Sequence, residues 1–216
     1  MDPSDDVRPG GTSPASRAGR EAGEPAVDLR TALLDAAAEE LTAHGPEGMG
    51  LRAIARRAGV SHAAPGYVFG GMQGMRTALA ARGFTLLAER LEGARAAGRD
   101  EKDAGPERDV GPAAEASPLG RLGESYVHFA AQEPGLFALM FRTARLDGQD
   151  EALRAAQQRA LAPLAAHADT PLRKVMIWSL AHGAAVLESE GQLAPSLPGE
   201  DPAGQVVRSF AQVLGE

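Results

Sequence analysis

Wherever apolar residues cluster in this chain they recur at three- and four-residue spacing, and nowhere do they alternate with polar ones as in a half-buried strand. In "DLRTALLDAAAEELTAHG" the positions Leu33, Leu34, Ala37 and Leu41 form one apolar face, with Asp28 placed to cap the start and Gly45-Pro46 to stop the helix. "GLRAIARRAG" repeats the pattern with Leu51, Ile54, Ala55 and Ala58, while Arg52, Arg56 and Arg57 point the other way. Gly59 suits the residue after the helix end, where a positive φ is needed. Val60 can bury in the corner that follows, and Ser61 offers an N-cap oxygen to a third helix. Two short helices joined by a turn containing Gly form the helix-turn-helix pattern.

The rest is also helical. Met75, Leu79, Phe84, Leu87 and Leu91 give a buried face to "GMRTALAARGFTLLAERLEGARAAG". Residues 98–116, charged and interrupted by Gly and Pro, read as a flexible loop, long by ordinary loop statistics. Ser117-Pro118 is a good cap and first residue for a helix striped by Leu119, Leu122, Tyr126 and Phe129. A short apolar helix starts at Pro134, and another bends or ends near Pro163. A long apolar helix then carries Trp178, and an amphipathic one closes the chain. The prediction is an all-α fold with three parts: a disordered tail over 1–28, a three-helix domain carrying the helix-turn-helix pattern over 29–74, and a second helical domain over 75–216.

Composition narrows this picture. The 216 residues include no cysteine, which excludes disulfides, thiolate metal sites and a Cys nucleophile. Aromatics are 4%, so Leu, Ala and Val must fill most of the core. No apolar run approaches the roughly 18 residues of a membrane span. The N-terminal stretch lacks the apolar centre of a secretory signal. A soluble cytoplasmic protein without membrane contact is expected. The net charge of −7 argues at first against nucleic acid, but it is unevenly spread. Residues 29–85, with six Arg and four acids, are the one positive segment, and they contain the helix-turn-helix pattern.

Three stretches together, "LLDAAAEELTAHG", "LRAIARRAGVS" and the downstream Phe69, resemble the DNA-binding domain of the TetR family of bacterial transcription regulators. The C-terminal part is similar to a subgroup marked by Trp-x-x-x-His-Gly, here Trp178, His182 and Gly183, and "YVHFAAQEPGLFALMF" looks like the same subgroup. The resemblance spans roughly residues 29 to 214. It implies a homodimer bound to double-stranded operator DNA, with a small apolar or amphipathic effector and no cofactor or metal. The subgroup usually reads Ser-His-Ala-Ala-Pro-Tyr-x-x-Phe, followed by an acidic residue and a Lys. Ser61 to Pro65 match, but Gly66 stands at the Tyr position, Tyr67 comes one residue late, and Met72 stands at the Lys position. In the family that Tyr and Lys contact phosphates, so two backbone anchors are missing or displaced.

Arg52 at the start of the second helix suits a phosphate, and Ser61 and His62 can donate to phosphate or base. Ala63 and Ala64 either meet a thymine methyl or are helix filler, and Tyr67 either faces DNA or packs inside. Gln73 lies in the "FGGMQG" run, whose N–H groups can hold a phosphate at a helix start. Pro65 and Gly66 weaken the third helix, Pro65 by one lost hydrogen bond and Gly66 by about 1 kcal/mol relative to Ala. Candidate effector contacts are Tyr126, Phe129, Phe137, Met140, Phe141, Met176, Trp178 and His182. Trp178 and His182 lie one turn apart and can share a cavity. An apolar stripe is nonetheless core by default, with His182 bonded to a neighbouring helix. Gly183, Ala184, Val206, Val207, Phe210 and Val213 are the candidate dimer interface, as paired helices from each subunit.

Three functions remain. The first is an effector-released repressor. The second is a TetR-like ligand-binding protein with weakened or lost DNA affinity, which Gly66 and Met72 favour. The third, an enzyme, rests on Glu124 and His128 at i, i+4, a metal-ligand spacing with no third partner in sight. A solvated His is the simpler reading, and neither a nucleophile elbow nor a phosphate-cradling loop is present.

Overall fold

A computed structural model describes residues 28–103 and 117–215, with side chains described except at 98–103. Residues 1–27 of the tail expected over 1–28, and residues 104–116 of the loop expected over 98–116, lie outside the described residues. Every regular element among the described residues is helical.

Helix α1 (Leu29–Gly48) buries Leu33, Ala37 and Leu41, the face its sequence pattern predicts. It breaks at Gly45, whose φ of 69° only glycine adopts without strain, and Pro46 opens one last turn beyond the kink. Asp28 precedes α1 without capping it through its side chain. Helix α2 (Leu51–Arg57) buries Ile54 and Ala55 and leaves its three arginines outward. Its end is a full Schellman motif: the Gly59 N–H donates to the Arg56 carbonyl at 3.2 Å and the Val60 N–H to the Ala55 carbonyl at 3.0 Å. Gly59, at φ 67°, makes that reversal strain-free.

Helix α3 (Ala64–Phe69) begins later than its sequence suggests. Ser61 is not its N-cap. Ser61 closes a preceding turn, its carbonyl accepting the Ala64 N–H at 3.0 Å, and the capping position is Ala63. The first N–H to donate a full-turn bond is that of Tyr67, to the Ala63 carbonyl at 3.0 Å. Pro65 therefore removes no helical hydrogen bond, because its N–H would have been one of the orphans of the first turn.

Helix α4 (Met72–Asp103) runs through both the expected domain boundary at 74/75 and the first residues of the expected loop. At 32 residues it spans about 48 Å. Met75, Leu79, Phe84, Leu87 and Leu91 are all buried along it. Four caps set the C-terminal helices: Ser117 opens α5 (Pro118–Gln132), Asp150 opens α7 (Glu151–Leu161), Thr170 opens α8 (Pro171–Ser189) and Asp201 opens α9 (Pro202–Val213). Each cap accepts a backbone N–H three residues on. Helix α6 (Pro134–Met140) starts at its proline, and α7 gives way to a tighter turn around Pro163, where the sequence predicts a break.

One continuous apolar cluster joins Leu33 of α1 to Val207 of α9, so the two expected domains share a core through α4. Glycines set the closest crossings. A side-chain Cβ at Gly83 would come within 2.7 Å of the Met140 sulfur, and one at Gly123 within 2.7 Å of Val207 Cβ. Gly83 thus holds α4 against α6, and Gly123 holds α5 against α9.

Candidate DNA-facing surface and effector cavity

Around α3 the outward residues are Ser61, His62, Ala63, Gly66 and Tyr67, with Tyr67 91% exposed. Ala64 is half-buried and turned toward the core cluster, while Pro65 is buried. Phe69 packs inward beneath the Arg30 guanidinium, 4.7 Å from the ring centre. Arg52 and Arg56 are exposed on the neighbouring helix. Arg57 is engaged within the subunit: it donates to Glu40 at 3.0 and 3.2 Å and to Glu39 at 3.1 Å. Those bonds, Glu40 first, raise its already high pKa. Gln73 is exposed, but its amide donates to the Leu146 carbonyl at 3.4 Å. Gly66 is exposed and has open space where a Cβ would stand.

The second feature is a cavity of ≈ 250 Å³ between α4, α5, α7, α8 and α9. Tyr126, Met140, Phe141 and Trp178, all named from sequence, line it. The other four expected contacts stand elsewhere. Phe129 is fully buried in the core. Phe137 packs edge-on against Tyr126 behind the wall. Met176 faces outward and is 57% exposed. His182 is not in the wall but stands behind it, its Nδ1 2.9 Å from the Tyr126 hydroxyl and its ring against Phe141 and Trp178. Two residues expected at a dimer interface, Val207 and Phe210, instead face the cavity, and Ala184 is buried within the subunit. The reason is the glycine-set crossing at Gly123, which draws α9 inward. Gly183 and Val206 are half-buried, and Val213 is 82% exposed.

Sequence reasoning missed Leu87, Leu91, Thr143 and Gln157 in the wall. The first two were legible as stripe positions of α4. Gln157 sits in a polar run with nothing to mark it.

Burial governs the titratable groups here. Desolvation pushes the Tyr126 phenol well above its ordinary value and holds His182 below the usual imidazole range, so both stay neutral. The groups packed on the His182 ring are Tyr126, Phe137, Phe141 and Trp178, none of them charged. With its folded pKa depressed, His182 contributes stability that is complete above its ordinary value near 6.5 and is lost as pH falls below it. Wild type is therefore expected to lose more thermal stability than His182→Gln between about pH 7 and about pH 5. Superimposable pH profiles would count against the assignment.

One segment joins the two features. Phe141 stacks near Trp178 and His182, with ring centres 6.2 and 4.4 Å away. Immediately after it, Arg142 and Arg145 pair with Glu47 at the end of α1, and Arg145's hydrogen bond is the main cause of that carboxyl's lowered pKa. The Asp147 N–H then donates at 2.9 Å to Thr77 Oγ1, which itself donates to the Gln73 carbonyl at 2.9 Å. Residues 141–147 thus run from the cavity wall to the last turn of α1 and the first turns of α4.

Elsewhere, Glu124 pairs with Arg208, which also donates to Asp201 at 3.1 Å, and His128 Nε2 lies 3.6 Å from Asp201, so the two residues of the metal-like spacing join one polar cluster with Arg208 and Asp201. No group of three possible metal ligands occurs among the described residues. No helix among them is long and apolar enough to cross a membrane.

A short-turn helix pair presenting an outward third helix, coupled to a helical domain with an internal cavity, defines the class of helix-turn-helix regulators. Residues 33–79 match the family described as bacterial regulatory proteins, tetR family, and residues 119–214 match the tetracyclin repressor-like C-terminal domain. The chain belongs to the TetR family of regulators. It is similar to a solved Rhodococcus sp. RHA1 protein of unknown function at 26% identity, covering 91% of this chain and 97% of that one, with a TM-score of 0.64. A tetR-family transcriptional regulator from Streptomyces coelicolor shares the fold at 20% identity, with 85% and 81% covered and a TM-score of 0.57. No curated protein matches the chain.

Proposed function

We propose that this protein is a homodimeric repressor that binds a palindromic operator through α2 and α3 and is released by a small apolar or amphipathic effector held in the C-terminal cavity. Residues 29–74 read DNA and residues 75–216 bind effector and dimerise, with α4 common to both. The observation that carries this reading is the outward face of Ser61, His62, Ala63 and Tyr67 beside exposed Arg52 and Arg56. That face lies outside the subunit's core, and the arginines have the charge for phosphates. The cavity supplies a place for the effector, and residues 141–147 supply a mechanical link. An effector pressing on Phe141 would shift the segment that braces α1 and α4, favouring a spacing of the paired α3 helices that no longer fits two half-sites. Linkage demands that it bind the released state more tightly. For the dimer we favour the outward faces of α8 and α9, where Leu172, Val175, Met176, Leu187 and Val213 are exposed apolar residues.

Selection of bound DNA from random sequence, followed by gel shifts at low salt, tests the reading. A symmetric site bound at submicromolar protein is expected. Arg52→Ala with Arg56→Ala should weaken binding to all sequences alike and lower the salt slope by about 2. Absence of any shift at micromolar protein would defeat the proposal.

Gly66 and Met72 support the second reading, a relative whose DNA affinity has weakened. Gly66 is exposed with open space at its Cβ position, and Met72 is only half-buried at the start of α4. Gly66→Tyr with Met72→Lys is expected to raise DNA affinity roughly tenfold and steepen the salt slope by about 1, since only the lysine adds charge. Binding created where the wild type has none favours the weakened relative; improvement on a measurable wild-type affinity favours the repressor.

A further inference from the structure

Resting on the reading of the cavity as the effector site, we propose that it takes an uncharged, mostly hydrocarbon ring compound bearing a hydrogen-bond-donating group of the phenol type, which lodges on the Tyr126 oxygen.

Charge is excluded by the walls. No charged side chain lines the cavity among the described residues. An ionised carboxylate or ammonium entering it would lose its hydration and gain no counter-ion. Phe84, Phe141, Trp178 and Phe210 give the wall its aromatic surface.

The donor requirement follows from counting hydrogens. The Trp178 indole N–H can only donate, and Tyr126 Oη stands 3.3 Å from it. The phenol hydrogen of Tyr126 must then point elsewhere, and His182 Nδ1 lies 2.9 Å away. In the assigned tautomer the neutral ring accepts at Nδ1 and carries its hydrogen on Nε2; the opposite tautomer would free the phenol hydrogen for a ligand acceptor, which the methyl ether probe detects. Both hydrogens of the Tyr126–Trp178 pair are thereby spent inside the cluster. What remains is a lone pair on the Tyr126 oxygen. A ligand acceptor finds no free donor on this pair, whereas a ligand hydroxyl or N–H finds an oxygen. Thr143 and Gln157, the other polar residues in the wall, both donate and accept, so they admit a second polar group without selecting its kind.

Four probes of one shape separate these demands: 4-tert-butylphenol, its methyl ether, 4-tert-butylbenzoate and 4-tert-butylbenzylammonium. Trp178 is the sole tryptophan, so its fluorescence reports occupancy, and calorimetry supplies an independent affinity. The full-length protein is used without DNA, so failure here is distinct from failure to bind an operator. The phenol is expected to bind saturably, the ether about tenfold more weakly for want of one hydrogen bond, and the two ions at least about a hundredfold more weakly. Tyr126→Phe should bring the phenol down to the ether's affinity and leave the ether unchanged, a change that a purely structural tyrosine would not produce. Should that variant fold poorly, the phenol-to-ether ratio on wild type still decides. An ether binding as well as the phenol, either ion binding as tightly, or no binding by any of the four overturns the proposal.

Discussion

Phe129→Ala is expected to cost the fold about 3–5 kcal/mol, the usual range for deleting a fully enclosed aromatic ring. The ring is completely buried on α5, with the Arg90 guanidinium 5.4 Å from its centre, and it lies outside the cavity wall. Its loss opens a void that close-packed neighbours refill only partly. In a chain of this length the melting temperature should fall by roughly 10 °C. Urea and thermal unfolding monitored by circular dichroism measure it. The variant that remains folded should bind cavity ligands as wild type does, because Tyr126, Phe141 and Trp178 are untouched. A loss under about 1 kcal/mol would show that the site collapses around the deletion.

If the proposed dimer and operator binding hold, Met176→Glu is expected to yield monomers and to lower operator affinity at least about a hundredfold. Met176 is exposed in the subunit, in line with Leu172 and Val175 on α8. In a two-fold pair each substitution appears twice, so two carboxylates would be buried at one interface without partners. Loss of pairing removes the second half-site contact and the effective concentration it supplies. The subunit's own fold should not suffer, since the side chain already faces solvent. Light scattering coupled to size exclusion reads the oligomer and gel shift reads the DNA. A variant that stays dimeric at micromolar concentration would move the proposed interface away from this face of α8.

These two residues also show where the sequence was legible. Phe129 and Met176 were both candidate effector contacts, and the structure places one in the core and the other on the surface. Each lies on a helix whose period is plain in the sequence. Period fixes which residues share a face, but it does not say what that face meets. Tyr126, Phe141 and Trp178 were chosen by the same reasoning and do line the cavity. The Ser61 cap failed for a local reason: Ala63 already has helical angles, so a turn of 61–64 precedes α3 and the capping position moves two residues on.

The sequence by itself determined the all-helical class, the end of α2 at Gly59, the Ser117-capped start of α5 and the buried stripes of α1 and α4, because all of these depend on interactions within about four residues. Only the tertiary structure decided which stripe closes a core and which opens a cavity, that α9 turns Val207 and Phe210 inward across Gly123, and that residues 141–147 reach back to Glu47 and Thr77. Those outcomes rest on contacts between residues tens of positions apart. Their distances are set by how whole helices cross, a property that no periodicity along the chain encodes.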